Sequence, residues 1–139
     1  MNIVLDTNIL FAAMIRNSFV RKRVLTIRAR LFFPQPLLFE VYEHFEEIRK
    51  KSKLSNSEFE QVIRSVIRRV QFVQASALFP YTQDAKEIID QIDPDDMLLI
   101  ACALAIPESI IWSDDKALKK QTRIPVYSTS EIQARNENN

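Results

Sequence analysis

Glycine is absent from all 139 residues, against an average near 7% in proteins. A Walker A loop and a GxGxxG dinucleotide turn both require it, so P-loop nucleotidases and ordinary dinucleotide dehydrogenases are excluded. Cysteine occurs once, as Cys102 in "LLIACALAI". It has no partner for an intrachain disulfide or a thiolate zinc site, and its neighbours mark it as a small buried apolar side chain. The single histidine, His44, lacks a second His or Cys and reads as packing or surface, although it shares a helix side with Glu40 four residues earlier. There is no run of about 18 apolar residues to span a membrane. A strand pattern begins within two residues of the initiator Met, which argues against a signal peptide, and a cytoplasmic location is the expectation.

What remains is 47% hydrophobic and 27% charged, the balance of a globular protein. At roughly 100 to 200 residues per domain, a single domain over residues 1–139 is expected, with the stretch from about 131 to 139 as a frayed tail. Short apolar strands alternate with helices, the signature of a mainly parallel sheet with crossover helices. Strands are predicted near Asn2 to Leu5, Arg30 to Phe33, Gln71 to Ala75, Ser109 to Trp112 and Val126 to Tyr127. Helices are predicted near Asn8 to Ile15 and Phe19 to Ala29. The spacing of Leu37, Leu38, Val41, Tyr42, Phe45 and Ile48 predicts one helix from about Pro36 to Lys51. A capping box of Ser55 and Glu58 opens the next, whose apolar stripe is Phe59, Val62, Ile63, Val66 and Ile67, and these two long helices should form a hairpin. A further helix near Asp84 to Gln91 precedes "DPDDMLLIACALAI", where every residue from Met97 to Ile106 is apolar and a helix buried on nearly every side is expected.

Acids gather at the ends of these elements. Asp6 follows Ile3, Val4 and Leu5, Asp114 and Asp115 follow "IIW", and Asp93, Asp95 and Asp96 open the apolar helix. Each has an ordinary explanation as a helix cap. Their joint placement needs another. With the strand order 3-2-1-4-5, the first and fourth strands are neighbours at the point where the crossovers change side, so Asp6 and Asp115 emerge together. Carboxylates so close repel one another unless a cation compensates, and hard cations such as Mg²⁺ or Mn²⁺ prefer oxygen ligands. Two divalent ions can activate water and stabilise the leaving oxygen of an in-line displacement at phosphorus. The chemistry that fits is metal-dependent cleavage of phosphodiesters.

The motifs resemble those of the PIN-domain ribonucleases, including the VapC-like toxins of toxin-antitoxin pairs, and the resemblance runs from Asn2 to about Ser130. "IVLDTNIL" is similar to the family's opening strand and first acid, Asp6, with Thr7 and Asn8 in the adjoining turn. "DDMLLIACAL" resembles an acid followed five residues later by a small residue, which selects Asp96 over Asp95. "IIWSDDKAL" matches Ser113 to the family's hydroxyl and Asp115 to its last acid. The remaining acid lies on the helix after the second strand, where Glu40 in "PLLFEVYEH" is the best match, while Glu43, Glu46 and Glu47 read as solvated helix surface.

The resemblance implies a three-layer α/β/α fold with a five-stranded sheet. It also implies Mg²⁺- or Mn²⁺-dependent hydrolysis of RNA, leaving 5′-phosphate and 3′-hydroxyl ends, a homodimer and an antitoxin partner. Asp6, Glu40, Asp96 and Asp115 would be catalytic metal ligands, with Asn8 and Ser113 orienting them. Both late acid positions are doubled, so Asp95 and Asp114 compete for those roles, and Asp93 stands beside them.

A receiver or haloacid-dehalogenase type phosphoryl-transfer domain also uses strand-end aspartates and Mg²⁺. The latter needs a second Asp two positions after the first, where this chain has Asn8. The other rival is a non-catalytic PIN-like interaction module.

Net charge is +1. With the seven candidate acids Asp6, Glu40, Asp93, Asp95, Asp96, Asp114 and Asp115 set aside from the 18, 11 acids face 19 Lys and Arg, a balance of +8. A basic body around an acidic hole suits a polyanion whose scissile phosphate meets metal ions. Basic clusters occur at Arg21 to Arg23, Arg49 to Lys53, Arg64 to Arg69 and Lys119 to Arg123. Lys119 and Lys120, on the helix expected just after the site, are the first choice for phosphate contacts.

Overall fold

The computed structural model describes residues 1–15, 18–89 and 96–137. Its strands are β1 Asn2–Leu5, β2 Arg30–Pro34, β3 Val70–Val73, β4 Ser109–Trp112 and β5 Val126–Tyr127. They form one sheet of order β3-β2-β1-β4-β5 with every pairing parallel, as the sequence predicts. The helices described are α1 Thr7–Ile15, α2 Phe19–Thr26, α3 Leu38–Glu43, α4 Phe45–Ser52, α5 Asn56–Arg69, α6 Ala75–Leu78, α7 Thr82–Ile88, α8 Asp96–Ala105 and α9 Thr129–Glu137. None is long and apolar enough to cross a membrane.

Side chains alternate across a strand, and the apolar runs therefore serve two cores. Ile3 and Leu5, Leu31 and Phe33, and Ile110 and Trp112 face α1, α2, α5 and α9, meeting Leu10, Val24, Phe59 and Ile132. Val4, Phe32 and Ile111 face the other way, against Ala85 of α7 and Leu99, Ile100 and Cys102 of α8. The result is three layers. Burial on this second side pushes the Cys102 thiol up to about 12, so it stays protonated and behaves as the small core residue its neighbours imply.

The structure departs from the predicted elements in several places. The single helix expected over 36–51 is broken into a 3₁₀ turn at Gln35–Leu37, then α3 and α4, with His44 between them at φ −102°, ψ 11°. Leu37, Val41 and Ile48 are buried as the spacing requires. The break lets Phe45 pack edge-on against Phe59 of α5, ring centroids 5.3 Å apart, so the expected hairpin forms with a kinked first arm. Tertiary packing overrides continuous helical periodicity here. The same break turns Phe39 and Tyr42 to solvent, 69% and 83% exposed, where they line an apolar groove of about 690 Å³ with Leu38, Phe45, Ile67 and Phe72. Ile67 is likewise 40% exposed although it belongs to the predicted stripe.

The helix α2 ends at Thr26 because Arg69 of α5 donates from Nε to the Val24 carbonyl (3.1 Å) and from Nη2 to the Ile27 carbonyl (2.5 Å). Arg21 closes α1 in the same way, donating to the carbonyls of Ala13 and Met14 at 2.7 and 3.0 Å. These two arginines hold helix ends, a role the clusters of basic residues do not reveal. Where a frayed tail is expected, α9 extends to Glu137, anchored by buried Ile132. Lys119 and Lys120 lie on a 3₁₀ turn, Leu118–Lys120, in place of the expected helix.

Without glycine, left-handed backbone falls to other residues. Lys53 has φ 59° at the C-terminal cap of α4 and Glu108 has φ 53° before β4. A side chain in this region costs about 1 to 2 kcal/mol, which glycine avoids. Lys53→Gly should therefore raise the unfolding free energy by about 0.5 to 1 kcal/mol in urea titrations, with the denaturant slope unchanged. A loss of stability would show that the Lys53 side chain contributes more than its backbone costs.

Candidate active site

Parallel strands bring their carboxyl ends to one edge of the sheet, and four of the seven candidate acids, Asp6, Glu40, Asp96 and Asp115, line a pocket there. Leu5 pairs with Trp112 in register, so the next residues, Asp6 and Ser113, emerge side by side. A pocket of about 200 Å³ at this edge is lined by Asp6, Glu40, Asp96 and Asp115, with Thr7, Asn8 and His44 on its rim and Phe11, Leu37 and Leu99 as apolar wall. Each acid comes from a different element: the end of β1, the first turn of α3, the first turn of α8 and the loop after β4.

Asp6 combines both roles open to it. Its backbone carbonyl accepts from Ile9 and Leu10 and starts α1, while its carboxylate accepts from the Thr7 and Asn8 backbone N–H groups. Ser113 is fully buried. It donates from Oγ to Asp6 Oδ2 at 2.6 Å and accepts from the Asp115 backbone N–H at 3.0 Å, so one hydroxyl positions two acids. Asp115 also accepts from the Ala117 N–H at 2.9 Å. Burial raises the Asp6 carboxyl above its usual range. The Ser113, Asn8 and Thr7 hydrogen bonds pull it down, and the neighbouring Asp115 charge pushes it up.

The doubled aspartates have different surroundings. Asp114 accepts from the Thr129 backbone N–H at 2.6 Å and from Thr129 Oγ1 at 2.7 Å, capping α9, while Trp112 Nε1 donates to the same hydroxyl at 3.1 Å. It is not among the residues lining the pocket. Asp93 and Asp95 lie outside the described residues. Lys119 pairs with Glu131, and neither Lys119 nor Lys120 lines the pocket. His44 does line it, with its ring edge-on to Phe11 at 6.2 Å and Nδ1 3.3 Å from Glu47 Oε2. The one sequence signal for it is its place four residues after Glu40. Phe11 and Leu37 carry no signal beyond their apolar character.

The donor set fits a hard divalent cation. All four acidic side chains offer oxygen, no Lys or Arg among the described residues lines the pocket, and burial opposes ionisation of Asp6. Among the described residues, no three His, Cys, Asp or Glu side chains stand close enough together to hold an ion as placed. Mg²⁺ needs only one or two direct carboxylates and keeps several waters, so the remaining acids can act through water.

The sequence model of the PIN domain matches residues 4–136. No curated protein matches the chain in sequence. Among solved structures, the fold is similar to that in the crystal structure of VapBC2 from Rickettsia felis bound to a DNA fragment from their promoter. The TM-score is 0.68 at 15% identity, over 92% of this chain and 98% of that one. At that identity the likeness concerns the fold.

The Asp6 environment has a measurable consequence. A carboxyl whose folded pKa lies above its unfolded value stabilises the protein fully below the unfolded value, 3.8, and that stability is lost as pH rises through the folded value. Asp6→Asn keeps the shape without the titration. In chelator at neutral pH it should melt above wild type, and the difference should shrink as pH falls through the folded value. Adding Mn²⁺ should stabilise wild type and leave Asp6→Asn unmoved. A variant that melts lower than wild type in chelator, or gains equally from Mn²⁺, contradicts this assignment.

Proposed function

The chain belongs to the PIN-domain family, and from this we propose that it is a metal-dependent endoribonuclease acting through Asp6, Glu40, Asp96 and Asp115. The observation that carries the reading is the gathering of these four acids around one pocket, with Ser113 hydrogen-bonded to two of their residues. Mg²⁺ or Mn²⁺ held there supplies an activated water and neutralises the non-bridging phosphate oxygens.

The protein's part is to place the charges. Asp6, Glu40 and Asp96 would hold the main ion, directly or through water, and Asp115 would help hold a second or orient the attacking water. Ser113 keeps Asp6 and Asp115 in position, and Asn8 contributes to the rim. Attack on phosphorus breaks the bond to the 3′ oxygen, which takes up a proton, leaving a 3′-hydroxyl and a 5′-phosphate.

The similar Rickettsia felis structure is of VapBC2 with promoter DNA, which supports for this chain the role of a VapC-like toxin with an antitoxin partner. The apolar groove at Phe39 and Tyr42 supports a protein partner as well, since exposed patches of this kind mark interaction surfaces. A homodimer and a cytoplasmic setting belong to the same reading. The receiver and dehalogenase alternative loses ground because the family match covers most of the chain. The non-catalytic alternative predicts an incomplete acid set.

Single-stranded RNA incubated with Mn²⁺ should be cut by wild type, with no cutting in chelator or by folded Asp6→Asn. Asp115→Asn and Asp96→Asn should lower the rate by at least tenfold. Asp114→Asn should cost mainly stability, about 1 kcal/mol for a lost cap. Wild-type rates in Asp6→Asn would remove the nuclease reading, and a silent Asp115→Asn beside an inactive, folded Asp114→Asn would shift the last acid by one residue.

Lys119 and Lys120 are proposed to meet the phosphate backbone. With cleavage blocked by Asp6→Asn, replacing both by Ala should flatten the salt dependence of single-strand binding by roughly 0.7 per lost contact, equally for unrelated sequences. An unchanged slope takes them off the substrate path.

A further inference from the structure

We propose that a second pocket, at the opposite edge of the sheet from the carboxylates, binds the phosphate of a nucleotide-sized ligand. It has a volume of about 540 Å³ and is lined by Arg23, Arg28 and Arg135, with Thr26, Ile27 and Ile132 among its walls. It lies where α2 ends and the first strand begins. Because β1 and β2 run parallel, this edge is separated from the carboxylate pocket by the length of a four-residue strand, roughly 13 Å.

Three observations carry the assignment. Among the described residues no acid lines the pocket, and none of the three arginines is in an ion pair. The Nε of Arg23 is buried with no hydrogen-bond partner, an arrangement native proteins rarely leave unfilled. The carbonyls that would ordinarily serve these donors are engaged. Lys22 O accepts from the Thr26 hydroxyl, Arg23 O from the Ile27 N–H, and Val24 O and Ile27 O from Arg69. Arginine in the last turn of a helix complements the dipole, which accounts for the sign of the charge but not for a buried donor without an acceptor.

The chemistry selects the ligand. Guanidinium forks match phosphate oxygens, and a phosphate monoester, with about −1.5 to −2 charge at neutral pH, neutralises the three arginines better than a single carboxylate would. Arg135 is held with its guanidinium 4.5 Å from the Tyr127 ring centroid and donates from Nη1 to Met1 Sδ at 3.9 Å, which fixes its plane and leaves its other edge donors available. The volume falls in the range of about 300 to 1,000 Å³ typical of small-molecule sites, so the phosphate would be carried on a larger body, with Ile27 and Ile132 offering apolar surface to a sugar or base. That body is a free nucleotide or one unit of an RNA strand.

The test is calorimetric titration of the full chain with inorganic pyrophosphate, in chloride buffer with chelator so that the carboxylate pocket holds no metal. Wild type should bind saturably below 1 mM. Arg28→Ala and Arg135→Ala, both at exposed positions, should each weaken binding at least tenfold, and Arg23→Lys severalfold, since an ammonium cannot present the fork. Lys86→Ala removes one charge elsewhere and should bind as wild type. Absence of saturable binding, wild-type affinity in both alanine variants, or equal weakening by Lys86→Ala overturns the proposal. A second arm measures binding of a single-stranded RNA oligonucleotide against salt. A slope reduced by about 0.7 in Arg28→Ala identifies RNA as the source of the phosphate, and an unchanged slope with pyrophosphate binding lost identifies a free nucleotide. Chelator prevents metal-dependent cleavage in both arms, so neither result depends on the nuclease reading.

Discussion

The hydrogen bond from Ser113 Oγ to Asp6 Oδ2, 2.6 Å long, joins the ends of two neighbouring parallel strands and sets the geometry around them. It holds a largely buried carboxylate at the point where α1 begins, and through the Asp115 N–H it fixes a second acid beside the first. The fold makes this placement unavoidable. Residues following the paired Leu5 and Trp112 must emerge at the same edge, and α3 and α8 start at that edge too. Burial and the Asp115 charge oppose ionisation of Asp6, while three hydrogen bonds favour it. A cation would relieve that conflict, which is the physical basis for the proposed metal site.

Much of this was legible in the residues because local and global preferences agree. Apolar triplets ahead of Asp6 and of Ser113 suit strands of a sheet covered on both faces, and the uninterrupted apolar run of α8 requires a place inside. What was not legible depends on long-range contacts. Leu37, Val41 and Ile48 keep helical spacing through the break at His44, so periodicity carries no trace of the Phe45–Phe59 contact that accompanies it. Asp114 and Asp115 are equivalent as letters, and they part only because Thr129, fifteen residues on, offers two donors to Asp114. Arg69 belongs by sequence to a basic cluster, yet it serves carbonyls 42 and 45 residues away.

The absence of glycine shaped the chain in ways that composition alone only partly reveals. It excluded the glycine-rich loops that cradle phosphate through backbone N–H groups. Charged side chains gather at both ends of the sheet: carboxylates at one edge and, at the other, guanidinium groups with no ion pair among the described residues. The cost appears as left-handed backbone at Lys53 and Glu108. The exposed aromatic groove on α3 is a third surface, apolar where the others are charged.

The central claim, that Asp6, Glu40, Asp96 and Asp115 together form a divalent-cation site, is tested most directly by crystals soaked in Mn²⁺ and measured for anomalous scattering. The expected result is a peak within direct or water-mediated reach of Asp6 and at least one of Asp96 and Glu40. Saturating Mn²⁺ with no peak in this pocket, or with its ordered ion elsewhere on the chain, would contradict the account.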